Sequence, residues 1–347
     1  MIRIQNIYYM LAYAFQVLNE QGYKSIASED FENTAELCTA ILIQGVSSQL
    51  KRGLGKEYNS LTEELSTLRG KIDISESVKT QAFQRKKLCC SYDEFSVNSY
   101  MNRIIKSTML LLLRADITRA RKKNLRKLLV LFNEVDTVDL HNVNWNFQYN
   151  RNNQTYRMMI TVCYLIVKGL LQTQSDGSTK IMDFLDEQHM HRLYEKFILE
   201  YYRKEYPQIS ASASQIPWQL DDDMHDMLPV MQTDIMLTYK EKTLIIDAKY
   251  YARSTQVQYD KHTLHSGNMY QIFTYVKNKE TALVGQPHEV SGMLLYARTD
   301  EDVYPEHEYH MSGNRIEVRT LNLDGDFIMI KEQLDGIAEK YFCISAA

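Results

Sequence analysis

The stretch from Met231 to Tyr250 admits few folds. Residues 233–239 and 242–250 are rich in β-branched and apolar side chains, and Lys240-Glu241 separates them. That pattern predicts two strands joined by a tight turn. A symmetric hairpin centred there pairs Leu237 with Leu244 and Ile235 with Ile246, and sets Asp234 opposite Asp247. Side chains alternate along a strand, so Lys249 shares a face with both carboxylates. Ile235, Leu237, Leu244, Ile246 and Ala248 point the other way, to a core. Two carboxylates held close repel each other unless a cation lies between them. Oxygen donors suit a hard ion such as Mg²⁺. Such an ion could polarise a phosphate oxygen and activate water, with Lys249 positioning the water and stabilising charge on phosphorus. Asp234, Asp247 and Lys249 are therefore candidate catalytic residues for cutting a phosphodiester. The bland alternative is a surface hairpin with a weak Asp–Lys ion pair.

The rest of the chain bounds this reading. At 347 residues there is room for two domains with their own cores. Hydrophobic residues at 44% and charged residues at 24% match an ordinary soluble globular protein. A net charge of −4 leaves no global nucleic-acid footprint, so any DNA contact must come from a local patch. Cys38, Cys89, Cys90, Cys163 and Cys343 contain no C-x-x-C pair. That argues for free thiols in a reducing cytoplasm, not for zinc or a disulfide framework. No leader sequence and no membrane-spanning run is apparent, so a cytoplasmic protein without membrane contact is expected.

Hydrophobic periodicity predicts helices over 4–18, 31–50, 97–114, 118–134 and 155–171, with short β segments over 61–74 and 89–96. The polar stretch 173–180 then breaks the pattern. The expected organisation is a mostly helical domain with small β segments over 1–178, and a second domain over 179–347. The second half predicts a helix over 186–206, a strand over 209–220, the hairpin, a helix over 268–278, strands over 290–298 and 315–321, and a helix over 328–341. The fold class is α+β or α/β.

The order α-β-β-β-α-β and the Asp234, Asp247, Lys249 cluster resemble the PD-(D/E)xK nucleases, whose core is restriction-endonuclease-like. The chain is more closely similar to the McrC family, the nuclease subunits of 5-methylcytosine-dependent McrBC restriction systems. The resemblance rests on residues 6–15, Leu68-Arg-Gly-Lys-Ile-Asp-Ile74, Tyr92-Asp-Glu-Phe-Ser96 with Asn98 and Asn102, Thr233-Asp234, and residues 246–251. It implies a Mg²⁺-dependent endodeoxyribonuclease acting on double-stranded DNA with modified cytosine. Asp234 and Asp247 would be metal ligands, with the backbone carbonyl of Ala248, and Lys249 the catalytic lysine. It also implies a partner, a McrB-like AAA+ GTPase ring docked by the N-terminal domain and stimulated by it. The sequence has no G-x-x-x-x-G-K-[ST] loop, so GTP belongs to the partner. Two other readings remain: a regulator of the ring that does not cut, and a stand-alone repair nuclease of the same fold.

Further residues suggest accessory roles. Gln271 and Tyr275 share a helical face and resemble the Q-x-x-x-Y element of RecB-like nucleases, where Gln helps order the active site or DNA. A core-edge pair is the alternative. Glu195 lies at the edge of the buried stripe Leu193, Tyr194, Phe197, Ile198, Tyr201, where it either adds to the metal shell or stays solvated. The basic run Arg114, Arg119, Arg121, Lys122, Lys123, Arg126 and Lys127 suits DNA phosphates, an acidic partner surface or a solvated face. His225, His262 and His265 read as surface histidines, and residues 221–223 as a solvated acidic loop.

Overall fold

The computed structural model describes residues 2–15, 26, 29, 31–150, 153, 155–176, 187–222, 224, 226–250, 256–258, 261–298 and 304–346. The chain forms two compact units, one of residues 1–31 and 182–347 and one of residues 32–181. The second unit is thus an excursion within the chain of the first. The sequence places one boundary after residue 178 and assigns everything before it to a single domain. The structure corrects this: the N-terminal helix α1 (Ile4–Ala14) folds with the C-terminal unit. Its Tyr9 ring stacks on Phe327 at 4.2 Å, and its Tyr13 ring meets Phe197 edge-on at 5.7 Å. The Tyr13 hydroxyl donates to Glu205 Oε1 at 2.8 Å. Buried Asn6 donates from Nδ2 to the carbonyls of Leu323 (2.7 Å) and Gly325 (2.9 Å). A buried amide with both donors satisfied is expensive to pull out, so these bonds commit α1 to that unit.

The inserted unit contains α2 (Thr34–Arg52), β1 (Glu57–Leu65), β2 (Lys71–Ile72), α3 (Ile74–Lys79), β3 (Leu88–Ser96), α4 (Tyr100–Leu112), α5 (Arg119–Leu129) and α6 (Tyr156–Asp176). Asn33, Asp73, Ser99 and Thr118 each accept a first-turn N–H and start α2, α3, α4 and α5. The β segment expected over 61–74 is two strands that both pair with β3, in the order β1-β3-β2. Gly70 permits the turn between them: its φ is +68°, and a Cβ there would stand 2.3 Å from the Ser91 carbonyl. Asn102 is fully buried and uses its whole amide. Its Nδ2 donates to the carbonyls of Gly55 and Val97, and its Oδ1 accepts from the Tyr156 hydroxyl. The signature asparagine is therefore a structural peg.

The C-terminal unit continues with α7 (Glu187–Glu205), β4 (Ser210–Ser212), β5 (Gln215–Ile216), β6 (Met231–Gln232), β7 (Ile235–Tyr239), β8 (Lys242–Lys249), β9 (Gln256–Gln258), β10 (Lys261–Thr263), α8 (Ser266–Thr281), β11 (Glu289–Ala297), β12 (His307–Met311), β13 (Asn314–Leu321) and α9 (Phe327–Phe342). A six-stranded mixed sheet runs β12-β13-β11-β8-β7-β4. The strand expected over 209–220 is split. Ser214 accepts from the Thr233 backbone and hydroxyl and donates back to that hydroxyl. This knot bends the chain, so β5 leaves the main sheet and pairs with β6.

The core lies on both faces of the sheet. Ile245, Leu294, Ile316 and Val318 pack with Ile272, Tyr275 and Val276 of α8. Leu244, Ile246 and Ala248 point away from α8 and are fully buried as well, and α7 and α9 also pack against β8. Each such buried aliphatic contributes roughly 1.5–3 kcal/mol relative to exposure. No helix among the described residues is long and apolar enough to cross a membrane.

Gly292, in β11, lets α8 come down onto the sheet: a Cβ there would lie 2.8 Å from both Ile272 Cγ1 and Val276 Cγ2. Gly292→Ala should lower stability by about 1–3 kcal/mol through overpacking. Urea unfolding measures this, and an unchanged midpoint would show that α8 yields without cost.

Candidate active site

β8 lies between β7, antiparallel, and β11, parallel. The β7–β8 ladder pairs Ile235 with Ile246 and Leu237 with Leu244, the register that side-chain alternation predicts. Asp234 stands one step beyond the ladder, level with Asp247. Its Oδ2 accepts the Ala248 N–H at 2.9 Å, while its neighbour Thr233 is held by Ser214. The first carboxylate is thus fixed from both sides along the backbone.

The face carrying Asp247 and Lys249 is buried, not open to water. Asp247 is 2% exposed and Lys249 6%, because α8 covers that face. Lys249 Nζ lies 2.9 Å from Asp247 Oδ2. The approach supplies a counter-charge without hydrogen-bond alignment, since that buried oxygen accepts no hydrogen bond. Lys249 also donates to Gln271 Oε1 at 3.3 Å, Gln271 Nε2 donates to the Tyr275 hydroxyl at 3.0 Å, and that hydroxyl donates to the Gln232 carbonyl at 3.1 Å. The structure therefore brings Asp234, Asp247, Lys249, Gln271 and Tyr275 into one cluster.

Burial pushes the Asp234 carboxyl up to about 8, aided by the charges of Asp247 and Glu195 and a hydrogen bond with Asp247, and opposed by Lys249. Glu195, on α7, is pushed up to about 7, first by burial and then by Asp247, with Lys249 and Arg192 opposing. These couplings place Glu195 within electrostatic reach of the pair. His191 is the residue that sequence reading misses. Its Nε2 is 3.1 Å from Glu195 Oε1, and burial, then Lys249, lowers its pKa. The signal was its position four residues before Glu195 on one helix. Among the described residues, no group of three or more His, Cys, Asp or Glu side chains gathers as a metal cluster. The carboxylate pair would need backbone oxygen or water to complete a shell.

The other candidates divide among themselves. Within the inserted unit, Arg119, Lys123, Arg126 and Lys127 of α5 are exposed, with Lys122 half-buried. Arg121 is a correction: it pairs with buried Glu36, which also accepts the Thr118 N–H, and so anchors α5 to α2 and is no exposed contact. Asp221 and Asp222 are exposed. His265 precedes α8 as its N-cap. Asp223, His225 and the side chain of His262 lie outside the described residues.

The raised Asp234 pKa has a consequence for stability. Its protonated form is favoured by folding, so its contribution is complete below the ordinary value of 3.8 and is lost as pH rises toward about 8. In metal-free protein, Asp234→Asn should therefore gain stability over the wild type increasingly from pH 5 to pH 8. Urea midpoints at the two pH values test this, and a pH-independent difference would contradict it.

Residues 4–297 match the model of the family described as "McrBC 5-methylcytosine restriction system component". The "Type IV methyl-directed restriction enzyme EcoKMcrBC" of Escherichia coli (strain K12) is 29% identical over 348 residues, covering 98% of each chain. A half-complex from a tetradecameric assembly of Thermococcus gammatolerans McrB AAA+ hexamers with bound McrC aligns with 94% of this chain and 75% of its own, at 15% identity and a TM-score of 0.45. A second structure, the Thermococcus gammatolerans McrBC complex, covers 58% of each chain at 19% identity and a TM-score of 0.39. With the family model matched over most of its length, the chain belongs to the family of McrBC 5-methylcytosine restriction system components.

Proposed function

We propose that this chain is the DNA-cutting subunit of a modification-dependent restriction complex, a Mg²⁺-dependent endonuclease that works with an AAA+ GTPase. One observation carries the reading: Asp234, one step before β7, stands level with Asp247 of β8, with the Lys249 ammonium beside Asp247 on the buried face under α8. The succession α7, β4, β7, β8, α8, β11 supports a PD-(D/E)xK core. Family membership and the name of the Escherichia coli relative support 5-methylcytosine-containing DNA as the target and a McrB-like ring as the partner. The inserted unit, residues 32–181, is assigned to docking that ring. GTP is the partner's ligand.

The residues fit a hard divalent cation. Asp247 Oδ2 is buried without a hydrogen bond, Asp234 holds a proton that a cation would displace, and every donor is an oxygen. Asp234, Asp247 and the Ala248 carbonyl would hold Mg²⁺, which when bound supplies Lewis-acid polarisation of the scissile phosphate and a more acidic water. Lys249, held by Gln271, directs its positive charge at the reacting phosphate and orients the attacking water. Glu195, balanced near neutrality and steadied by His191, takes up a proton at physiological pH.

Asp247→Ala and Lys249→Ala should each lower DNA cleavage in the presence of partner and GTP by about 10²–10³-fold or more, and chelation should abolish it. Stimulation of the partner's GTP hydrolysis should survive both substitutions. Undiminished cleavage by Asp247→Ala would refute the site. Equal loss of both activities would show that the substitution disturbs the whole chain.

A further inference from the structure

Lys249, Gln271, Tyr275 and Gln232 form a hydrogen-bond chain with fixed ends. The ammonium can only donate, and the Gln232 carbonyl can only accept. Between them stand two groups that can turn, the Gln271 amide and the Tyr275 hydroxyl. Only one arrangement satisfies all three bonds. The single hydroxyl proton goes to Gln232, so the hydroxyl oxygen must accept from the Gln271 Nε2, and Oε1 must face Lys249. The amide orientation follows from this donor inventory alone.

The chain also closes on itself. Gln232 lies two residues before Asp234, and Asp234 accepts the N–H of Ala248, the residue before Lys249. Lysine, amide, hydroxyl, β6 carbonyl and first carboxylate are thus links of one ring. Tyr275 is the link that joins α8 to β6. It is buried, one helical turn beyond Gln271.

We propose that Tyr275 is a positioning residue that acts through Gln271 to hold the Lys249 ammonium against Asp247 and at a fixed place relative to Asp234. Without its hydroxyl, the Gln271 Nε2 and the Gln232 carbonyl both lose their partners. The amide is then free to turn, and Lys249 loses the fixed acceptor that Gln271 Oε1 provides. The inference rests on the reading of Lys249 as part of a DNA-cutting site.

Tyr275→Phe, Gln271→Leu and the double variant test it in the full chain, with folding checked by thermal unfolding. With the GTPase partner and DNA, Tyr275→Phe should lower kcat about tenfold and leave KM for DNA unchanged, as expected for a hydrogen bond to a charged group's holder. Gln271→Leu should lower it at least as much, and the double variant no further, because both act along one chain. A second readout needs neither metal nor cleavage: acetylation of Lys249 by N-hydroxysuccinimidyl acetate in metal-free protein, followed by peptide mass spectrometry. Tyr275→Phe should speed that reaction several-fold. Additive losses in the double variant would overturn the proposal. So would a rise in KM with Lys249 reactivity unchanged, which would make Tyr275 a DNA contact instead. If cleavage survives Asp247→Ala, the nuclease reading fails, and the acetylation result still decides whether Tyr275 holds Lys249.

Discussion

Two carboxylates level with each other, inside a hairpin whose strand β8 is buried on both faces, are the constraint around which this unit is organised. The pair is unfavourable by itself, because burial and mutual repulsion both resist a second negative charge. What keeps the groups together is backbone. The β7–β8 ladder fixes their level, Thr233 and Ser214 pin the entry to β7, and the Ala248 N–H holds the Asp234 oxygen. The apolar faces of the same strands supply the stabilisation that offsets the electrostatic cost. A cation between the carboxylates would relieve repulsion that the fold sustains without it.

This arrangement was legible in the sequence to an uneven degree. The register of Ile235 with Ile246 and Leu237 with Leu244 followed from alternation and a central turn, because a one-residue slip would have taken Asp234 off the level of Asp247 and turned each aliphatic side chain to the opposite face. The burial of Asp247 and Lys249 did not follow. It depends on α8 covering their face, and that depends on Gly292 leaving room for Ile272 and Val276. The split of β4 from β5 was equally hidden, since it rests on hydrogen bonds between Ser214 and Thr233, far apart in the chain. Arg121 shows the converse error. A basic run looks uniform by composition, but one member turns inward to Glu36, a partner 85 residues away.

The position of α1 illustrates why a domain boundary read from local composition can fail. The polar stretch 173–180 precedes the division after residue 181. The other crossing has no comparable local signal, because what decides it is where the side chains of Asn6, Tyr9 and Tyr13 find partners. Those partners lie beyond residue 190. As a result α1 supports α7 and the start of α9, and α7 carries His191 and Glu195 toward the carboxylate pair. Residues at the beginning of the chain therefore bear on the site through packing, not through contact with it.

The polar side of the site is economical in a physical sense. A buried ammonium needs acceptors, and those of Lys249 include the Asp247 carboxylate and the Gln271 amide. The amide in turn needs an acceptor for its own N–H, and the Tyr275 hydroxyl can serve only if its proton goes elsewhere. Gln232 receives it. Each group thus restricts the next, and the restriction ends at a backbone carbonyl that cannot reorient. Asp247 Oδ2 is buried and faces the ammonium without accepting an aligned hydrogen bond. Where the neighbouring polar side chains restrict one another in this way, the proposed cation would add to the charge that Lys249 already sets against that oxygen.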